Sequence, residues 1–267
     1  MTSITRTLSH ALTGALVCAL LVMPVHAASM KQAKKALAAN DIESAVSELQ
    51  PLARSGNADA NNMLGELYLN GTGVVQDTAQ AKAYFEAGAR TGHLASLKNL
   101  HIIMQAEYKQ ELVTLRPAAE AGDSKAQTRL GRMYEFGYGQ PANPSDAFAW
   151  YSKSAAQGDL NGAMNLARAH NFGIGTQQNL LKAEAGYLAA AQQGHVDSMF
   201  FLGTMHFAQI SQAGTDADRQ AYAWLRLAAD TGHPAAAAMV TRLTLKLGDQ
   251  VATAEALYKE YKQSYGN

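Results

Sequence analysis

Arg132 and Arg168 stand 36 residues apart, as do Phe136 and Phe172, and as do His170 and His206. Two guanidinium groups beside aromatic walls suit a carboxylate-bearing peptide, a peptide C-terminus or an acidic glycan, held by charge-assisted hydrogen bonds and cation–π contact. Two imidazoles on adjacent elements make half of a metal site. Met104 and Tyr134 fill the equivalent earlier positions and offer no third ligand, so a His lodged in a Tyr-shaped slot is the better reading. His93, His195 and His233 each follow a Gly at fixed phase, which assigns them to turns. Glu66 and Glu135 come from non-adjacent segments and show no pairing across a cleft of the kind glycoside hydrolysis needs. No Gly-x-Ser-x-Gly elbow occurs, and the Gly-x-Gly pairs lack the preceding strand and following Lys-Ser/Thr of a phosphate loop. The chemistry on offer is binding rather than catalysis, with no metal and no cofactor.

The elements that must position these residues are repeated. Gly56, Gly92, Gly122, Gly158, Gly194 and Gly232 close successive units spaced 36, 30, 36, 36 and 38 residues apart. The clearest unit carries Ala60, Leu64-Gly65, Tyr68, Gly71-x-Gly73, Asp77, Ala81, Tyr84-Phe85 and Ala89 before Gly92. It recurs as Ala126, Leu130-Gly131, Tyr134, Gly137-x-Gly139, Asn143, Ala147, Trp150-Tyr151 and Ala155. A third copy holds Leu166-Ala167, His170, Gly173-x-Gly175, Asn179, Ala183 and Tyr187, and a fourth Leu202-Gly203, His206, Trp224 and Ala229. Ala60, Leu64 and Tyr68 share one helical face, and Gly65 beside them admits a second helix closely. Gly71 and Gly73 end that first helix, and Asp77, with Thr78 as competitor, starts the second. Each unit is thus an αα-hairpin with a large-into-small seam, which buries both faces only when stacked.

This pattern resembles the Sel1-like repeat family, α/α solenoid relatives of the tetratricopeptide repeats, over roughly residues 56–232. The resemblance implies an all-α, α/α superhelical solenoid of stacked antiparallel helix pairs, used mainly for protein–protein contacts. Bacterial relatives serve in envelope assembly, motility, polysaccharide export and signalling. By analogy with tetratricopeptide stacks, positions two before and two, five and six after each unit's Leu line the concave surface. Those positions include Arg132, Glu135, Phe136, Arg168, Asn171, Phe172, Phe200 and Phe207, which form the expected partner-binding groove. Two readings of these residues stand side by side: a groove, or Phe residues filling gaps between helices and Arg residues solvated at the surface.

The departures from the repeat carry their own expectations. The unit from Gly92 to Gly122 is six residues short and has no Gly-x-Gly, which predicts a shortened turn that alters the local twist or a seam between two sub-stacks. The fifth unit replaces its Gly-x-Gly with a longer polar loop from Ala208 to Arg219. Residues 28–55 read as two helices broken at Asn40-Asp41, and residues 233–267 as two more, Ala235 to Leu247 and Val251 to Tyr261, so both ends are expected to cap the stack.

Residues 1–27 read as an export signal: Arg6, an apolar run from Ala11 to Val25, and a small-residue exit with cleavage after about Ala27. Gly14 and Pro24 interrupt a run already short for a membrane span. Cys18, the chain's one cysteine, lies within that run, so no intrachain disulfide forms. The chain divides into 1–27 signal, 28–55 N-terminal cap, 56–232 repeats and 233–267 C-terminal cap. With 22 Lys+Arg against 22 Asp+Glu the net charge is zero, which argues against nucleic acid as a partner. The expectation is a non-catalytic periplasmic scaffold that binds a protein or peptide of the cell envelope. Peptidoglycan fragments or an acidic glycan form the alternative ligand.

Overall fold

The computed structural model describes residues 28–211 and 214–266; the expected export signal and Cys18 lie outside them. The described residues form thirteen α-helices and two 3₁₀ turns, with no strand among them. The protein is an all-α solenoid, and its chain divides into two compact units, Met1–Leu97 and Lys98–Asn267. The first holds α1 (Met30–Ala38), α2 (Ile42–Arg54), α3 (Ala58–Asn70), α4 (Thr78–Ala89) and the opening turn of α5 (Leu94–Glu120). The second continues α5 into α6 (Ser124–Phe136), α7 (Pro144–Ala156), α8 (Leu160–Phe172), α9 (Leu180–Ala191) and α10 (Val196–Phe207). After a 3₁₀ turn at Gly214–Asp216 come α11 (Ala217–Asp230), α12 (Ala236–Leu247), a second 3₁₀ turn and α13 (Val251–Tyr265).

Local sequence explains the helix boundaries. Asp41, Asn57, Asp77, Asp123, Asn143, Asp159 and Asn179 each accept a hydrogen bond from the backbone N–H three residues on, closing the first turn of α2, α3, α4, α6, α7, α8 and α9. Such a cap contributes about 1 kcal/mol. At the other end Gly71, Gly137 and Gly173 adopt left-handed angles (φ 65–71°) that a side chain resists, so α3, α6 and α8 stop there. The second glycine of each pair does a different job. A Cβ on Gly73 would lie 2.5 Å from Ile42, one on Gly139 2.6 Å from the Tyr108 backbone, and one on Gly175 1.9 Å from the Pro144 carbonyl. These glycines let the start of one hairpin's second helix rest on the next hairpin's turn.

Inside each hairpin the seam pairs a small residue with a large one. A Cβ on Gly65 would meet the Phe85 ring at 2.5 Å, one on Gly131 the Tyr151 ring at 2.6 Å, and one on Gly203 the Leu225 side chain at 2.6 Å. Phe85, Tyr151 and Leu225 are fully buried. Between hairpins the fit is small against small: Ser96 fills the space beside Gly88, and Ser154 the space beside Gly162. The largest core gathers Tyr187, Met199, Leu202, Trp224, Leu225 and Leu243 from α9 to α12. A second core in the first unit is built on Leu49, Leu64 and Leu67.

The short unit folds differently from the expectation of a shortened turn. Residues 94–120 are one unbroken helix, α5. Its last half nevertheless keeps second-helix register: Gln127 Nε2 donates to the Ala119 carbonyl at 3.0 Å as Asn61 Nδ2 donates to Ala53 at 3.2 Å, 66 residues earlier. The unit is six residues shorter than its neighbours and nothing in Leu100 to Leu112 ends a helix, so its two helices run on as one. The division between the two units falls within this helix, at Leu97–Lys98.

Candidate partner-binding groove

The first helices of three successive hairpins, α6, α8 and α10, line a groove of about 560 Å³. Residues one period apart recur along it: Lys125, Asn161 and Asp197; Arg129, Asn165 and Phe201; Arg132 and Arg168; Thr128 and Met164. Phe136 closes the end nearest the Gly137 turn and is half exposed, stacked on Tyr138 at 5.5 Å.

The four cations of the groove fall into two classes. Arg129 donates from Nε and Nη2 to the two Glu111 oxygens, both at 2.7 Å, and its guanidinium lies 5.7 Å from the Tyr108 ring. That bidentate bond holds the Glu111 carboxyl below its usual range and the Arg129 guanidinium above its own. Arg168 donates to Glu135, whose same oxygen accepts from the Tyr151 hydroxyl at 2.7 Å; the Glu135 side chain is 8% exposed. Burial is the largest influence and works against the Arg168 charge, yet the bond to Glu135, the Glu135 charge and the nearby Tyr151 and Tyr187 together raise it. Burial, then the Glu135 charge, pushes the Tyr151 hydroxyl far upward. Lys125 and Arg132, by contrast, are exposed and make no ion pair among the described residues.

Two acids, Asp159 and Asp197, line the groove beside the cations. Asp159 Oδ1 caps α8 by accepting from Gly162 N at 2.6 Å and accepts from Thr128 Oγ1 at 3.0 Å. Asp197 lies 3.8 Å from His233 Nε2. Histidines tie neighbouring hairpins here as well. His195 Nδ1 accepts the Ser198 amide at 3.2 Å, so its proton sits on Nε2, 3.3 Å from Asn161 Oδ1. His93 makes the same cap in the first unit, with Nε2 reaching Asp59 at 3.1 Å.

Of the eight residues expected in the groove, Arg132, Phe136 and Arg168 line it. Glu135 sits behind it, anchoring Arg168. Asn171, expected at the surface, is 7% exposed and lies in the packed part of α8. Phe172 is exposed but lies outside the lining. Phe200 stacks on His233 at 3.9 Å, and Phe207 lies beneath Arg242 and Lys246. Helix geometry explains the fate of Glu135, Asn171 and Phe207, each five after its unit's Leu; Phe172 and Phe200 share the angular positions of Phe136 and Met164 and lie outside the lining for a different reason, which for Phe200 is its stacking on His233. At about 100° per residue, the position five after the Leu falls at roughly +140° from it, whereas the lining residues span about −100° through 180° to +160°. That fifth position faces the partner helix. Lys125, Arg129, Asn165 and Phe201, one and five before the Leu, were missed for the same reason, although their 36-residue spacing is present in the sequence.

His170 and His206 occupy the repeat's Tyr slot. His206 is buried with Nδ1 2.7 Å from Ser211 Oγ, and burial pushes its imidazole down to about 4. His170 meets Phe148 edge-on at 5.3 Å. Among the described residues no three His, Cys, Asp or Glu side chains converge as a metal site would require.

The Sel1 repeat pattern matches residues 58–93, 124–159, 161–195 and 196–233, together more than half of the chain. The chain belongs to the Sel1 repeat family. The matches pass over residues 94–123, where the hairpin has become α5. Among solved structures, a Sel1 repeat protein from Oxalobacter formigenes is 22% identical, with 86% of this chain and 95% of that chain covered and a TM-score of 0.49. The protective antigen c5321 of uropathogenic Escherichia coli, displaying an SLR fold, is 24% identical over 85% of this chain and 57% of its own, with a TM-score of 0.39. No curated protein sequence matches this chain. Sel1 repeat proteins act in general as protein–protein interaction scaffolds.

Proposed function

We propose that this protein is a non-catalytic scaffold of the periplasm whose α6, α8 and α10 groove holds a protein or peptide partner of the cell envelope. The observation that carries the reading is the groove itself: three consecutive Sel1 hairpins present equivalent positions to one channel, with charged walls and the apolar side chains of Met164 and Phe201. A repeat scaffold uses such a surface to hold an extended segment along several hairpins. The periplasmic part of the reading rests on the signal-like residues 1–27. Among the described residues no helix is long and apolar enough to cross a membrane. Residues 28–55 and 233–267 serve as the caps.

Affinity capture from the producing cell's envelope, with wild type and an Arg132→Ala/Phe136→Ala variant of equal helicity by circular dichroism, tests the reading. The expected result is a partner recovered by wild type and reduced at least tenfold by the variant. A Leu245→Ala control, altered at an exposed residue of α12, keeps it. Equal recovery by the groove variant contradicts the reading.

A further inference from the structure

We propose that α5 pairs with the α5 of a second copy of this chain, antiparallel, each copy supplying the helix that the other's hairpin lacks. Residues 94–106 keep the register of a first helix: Ser96 fills the space beside Gly88, and His93 caps as His195 does. Residues 108–120 keep that of a second helix, with the Ala119 carbonyl accepting from Gln127 and Gly139 resting on the Tyr108 backbone. In the other hairpins two such helices fold back on each other. As parts of one unbroken helix they run end to end, so neither covers the other's seam.

Exposure marks both open seams. The first-helix position that admits the second helix is Gly65, Gly131, Ala167 or Gly203 in the complete hairpins, buried each time; in α5 it is His101, which is exposed. The second-helix residue that fills this space is Phe85, Tyr151, Tyr187 or Leu225, fully buried each time; in α5 it is Leu115, which is half-buried. One half of α5 therefore wants a second helix and the other half a first. A two-fold contact supplies both at once, because residue i then meets j and j meets i. A connection too short to close a hairpin favours such an exchange between copies.

The residues at the seam suit that occupant. A Cβ on Gly131 would face the Tyr151 ring and, at 3.3 Å, the Ala147 carbonyl. In the same register His101 faces Leu115 and Glu111 of the second copy. Glu111 stands where the complete hairpins carry Ala81, Ala147, Ala183 and Ala221, so the two polar residues of the seam meet each other, imidazole to carboxylate. Beside its bond to Arg129, the Glu111 carboxylate keeps lone pairs for that contact. The added bulk is offset nearby. Met104 and Thr114 stand in the places of Tyr68 and Tyr84, whose rings stack at 5.7 Å, and Leu115 in that of Phe85. Exchanges that conserve volume are the ones a packed seam tolerates.

Light scattering on the purified protein during size exclusion tests the proposal, with helicity of every variant checked by circular dichroism. Wild type is expected at twice the chain mass at micromolar concentration. Inserting Gly-Thr-Gly-Val-Val-Gln, the turn of residues 71–76, between Ala106 and Glu107 restores the 36-residue spacing and should give a monomer, because the hairpin then closes within one chain. His101→Glu, at an exposed position, sets like charges against Glu111 of the second copy and should raise the dissociation constant at least tenfold. In a Cys18→Ser background, His101→Cys/Leu115→Cys should oxidise to a covalent dimer, since fourteen residues span about 21 Å along one helix and cannot link within a chain. A monomeric wild type overturns the proposal, as does a link formed within one chain. A dimer that survives the inserted turn, or that gives no link between positions 101 and 115, uses another surface and overturns it equally.

Discussion

Arg132 and Arg168 look alike in sequence and differ in what they hold up. Arg168 neutralises a carboxylate that is 8% exposed, so Arg168→Ala leaves Glu135 charged, buried and tied to Tyr151 alone. Breaking a buried pair in this way costs about 3–5 kcal/mol, and the partial exposure of Arg168 places the expected loss at the lower end. Arg132→Ala removes an exposed, unpaired cation and should stay within about 0.5 kcal/mol of wild type. Urea denaturation of the two variants measures the contrast. Arg132 is therefore the cleaner probe of binding, and Arg168→Ala confounds binding with folding. The 36-residue spacing revealed that these two Arg residues share a ladder. It did not reveal which one the Glu135 carboxylate claims, because that pairing depends on how α6 and α8 face each other.

His206 carries a pH prediction at the same scale. Its imidazole, normally near 6.5, is pushed down to about 4 by burial. Above 6.5 it is neutral in both folded and unfolded chains. As pH falls from about 6.5 toward 4, the unfolded chain takes up a proton that the folded chain refuses, so stability declines through that window. Thermal melts by circular dichroism should show a lower Tm at pH 5 than at pH 7. His206→Tyr, which restores the repeat's own residue, should recover part of the loss at pH 5 and change less at pH 7.

At the scale of the hairpin, the seam between first and second helices decides stability. A Cβ on Gly131 would sit 2.6 Å from the buried Tyr151 ring, so Gly131→Ala is expected to cost about 1–3 kcal/mol by overpacking, read as a shift of the urea midpoint at constant slope. The α8–α9 hairpin carries Ala167 at the equivalent position and has made room elsewhere: a Cβ on Gly186 would lie 2.9 Å from the Ala167 methyl. Gly186→Ala should therefore destabilise as well, whereas the same change in an exposed helix position would not. This seam was legible before the fold, because Leu-Gly, Gly-x-Gly and the cap residues are local signals that recur. The fusion of residues 94–120 into α5 was not. A missing glycine pair says only that a turn is absent, and the choice between a tighter turn and a continuous helix rests on whether any residue stops the helix.

For the molecule as a whole, stability rests on stacked helices. The chain's single cysteine leaves no intrachain disulfide, so a reducing agent should leave the melting curve unchanged; a drop in Tm under reductant would reveal a covalent link between chains. The family and the all-α solenoid were legible from six spaced glycines and the residues between them. The groove was legible only in part, since periodicity fixes which residues align from hairpin to hairpin, while the helical wheel and the neighbouring helix fix which of them face outward.

The central claim, that the partner lies along α6, α8 and α10, is tested most directly by site-specific photocrosslinking in the producing cell. A benzophenone amino acid placed at Phe136, at Met164 and, as a control, at the exposed Leu245 of α12 reports what each position touches. The account predicts the same partner adduct from positions 136 and 164 and none from position 245. Adducts from position 245 with none from either groove position would contradict it.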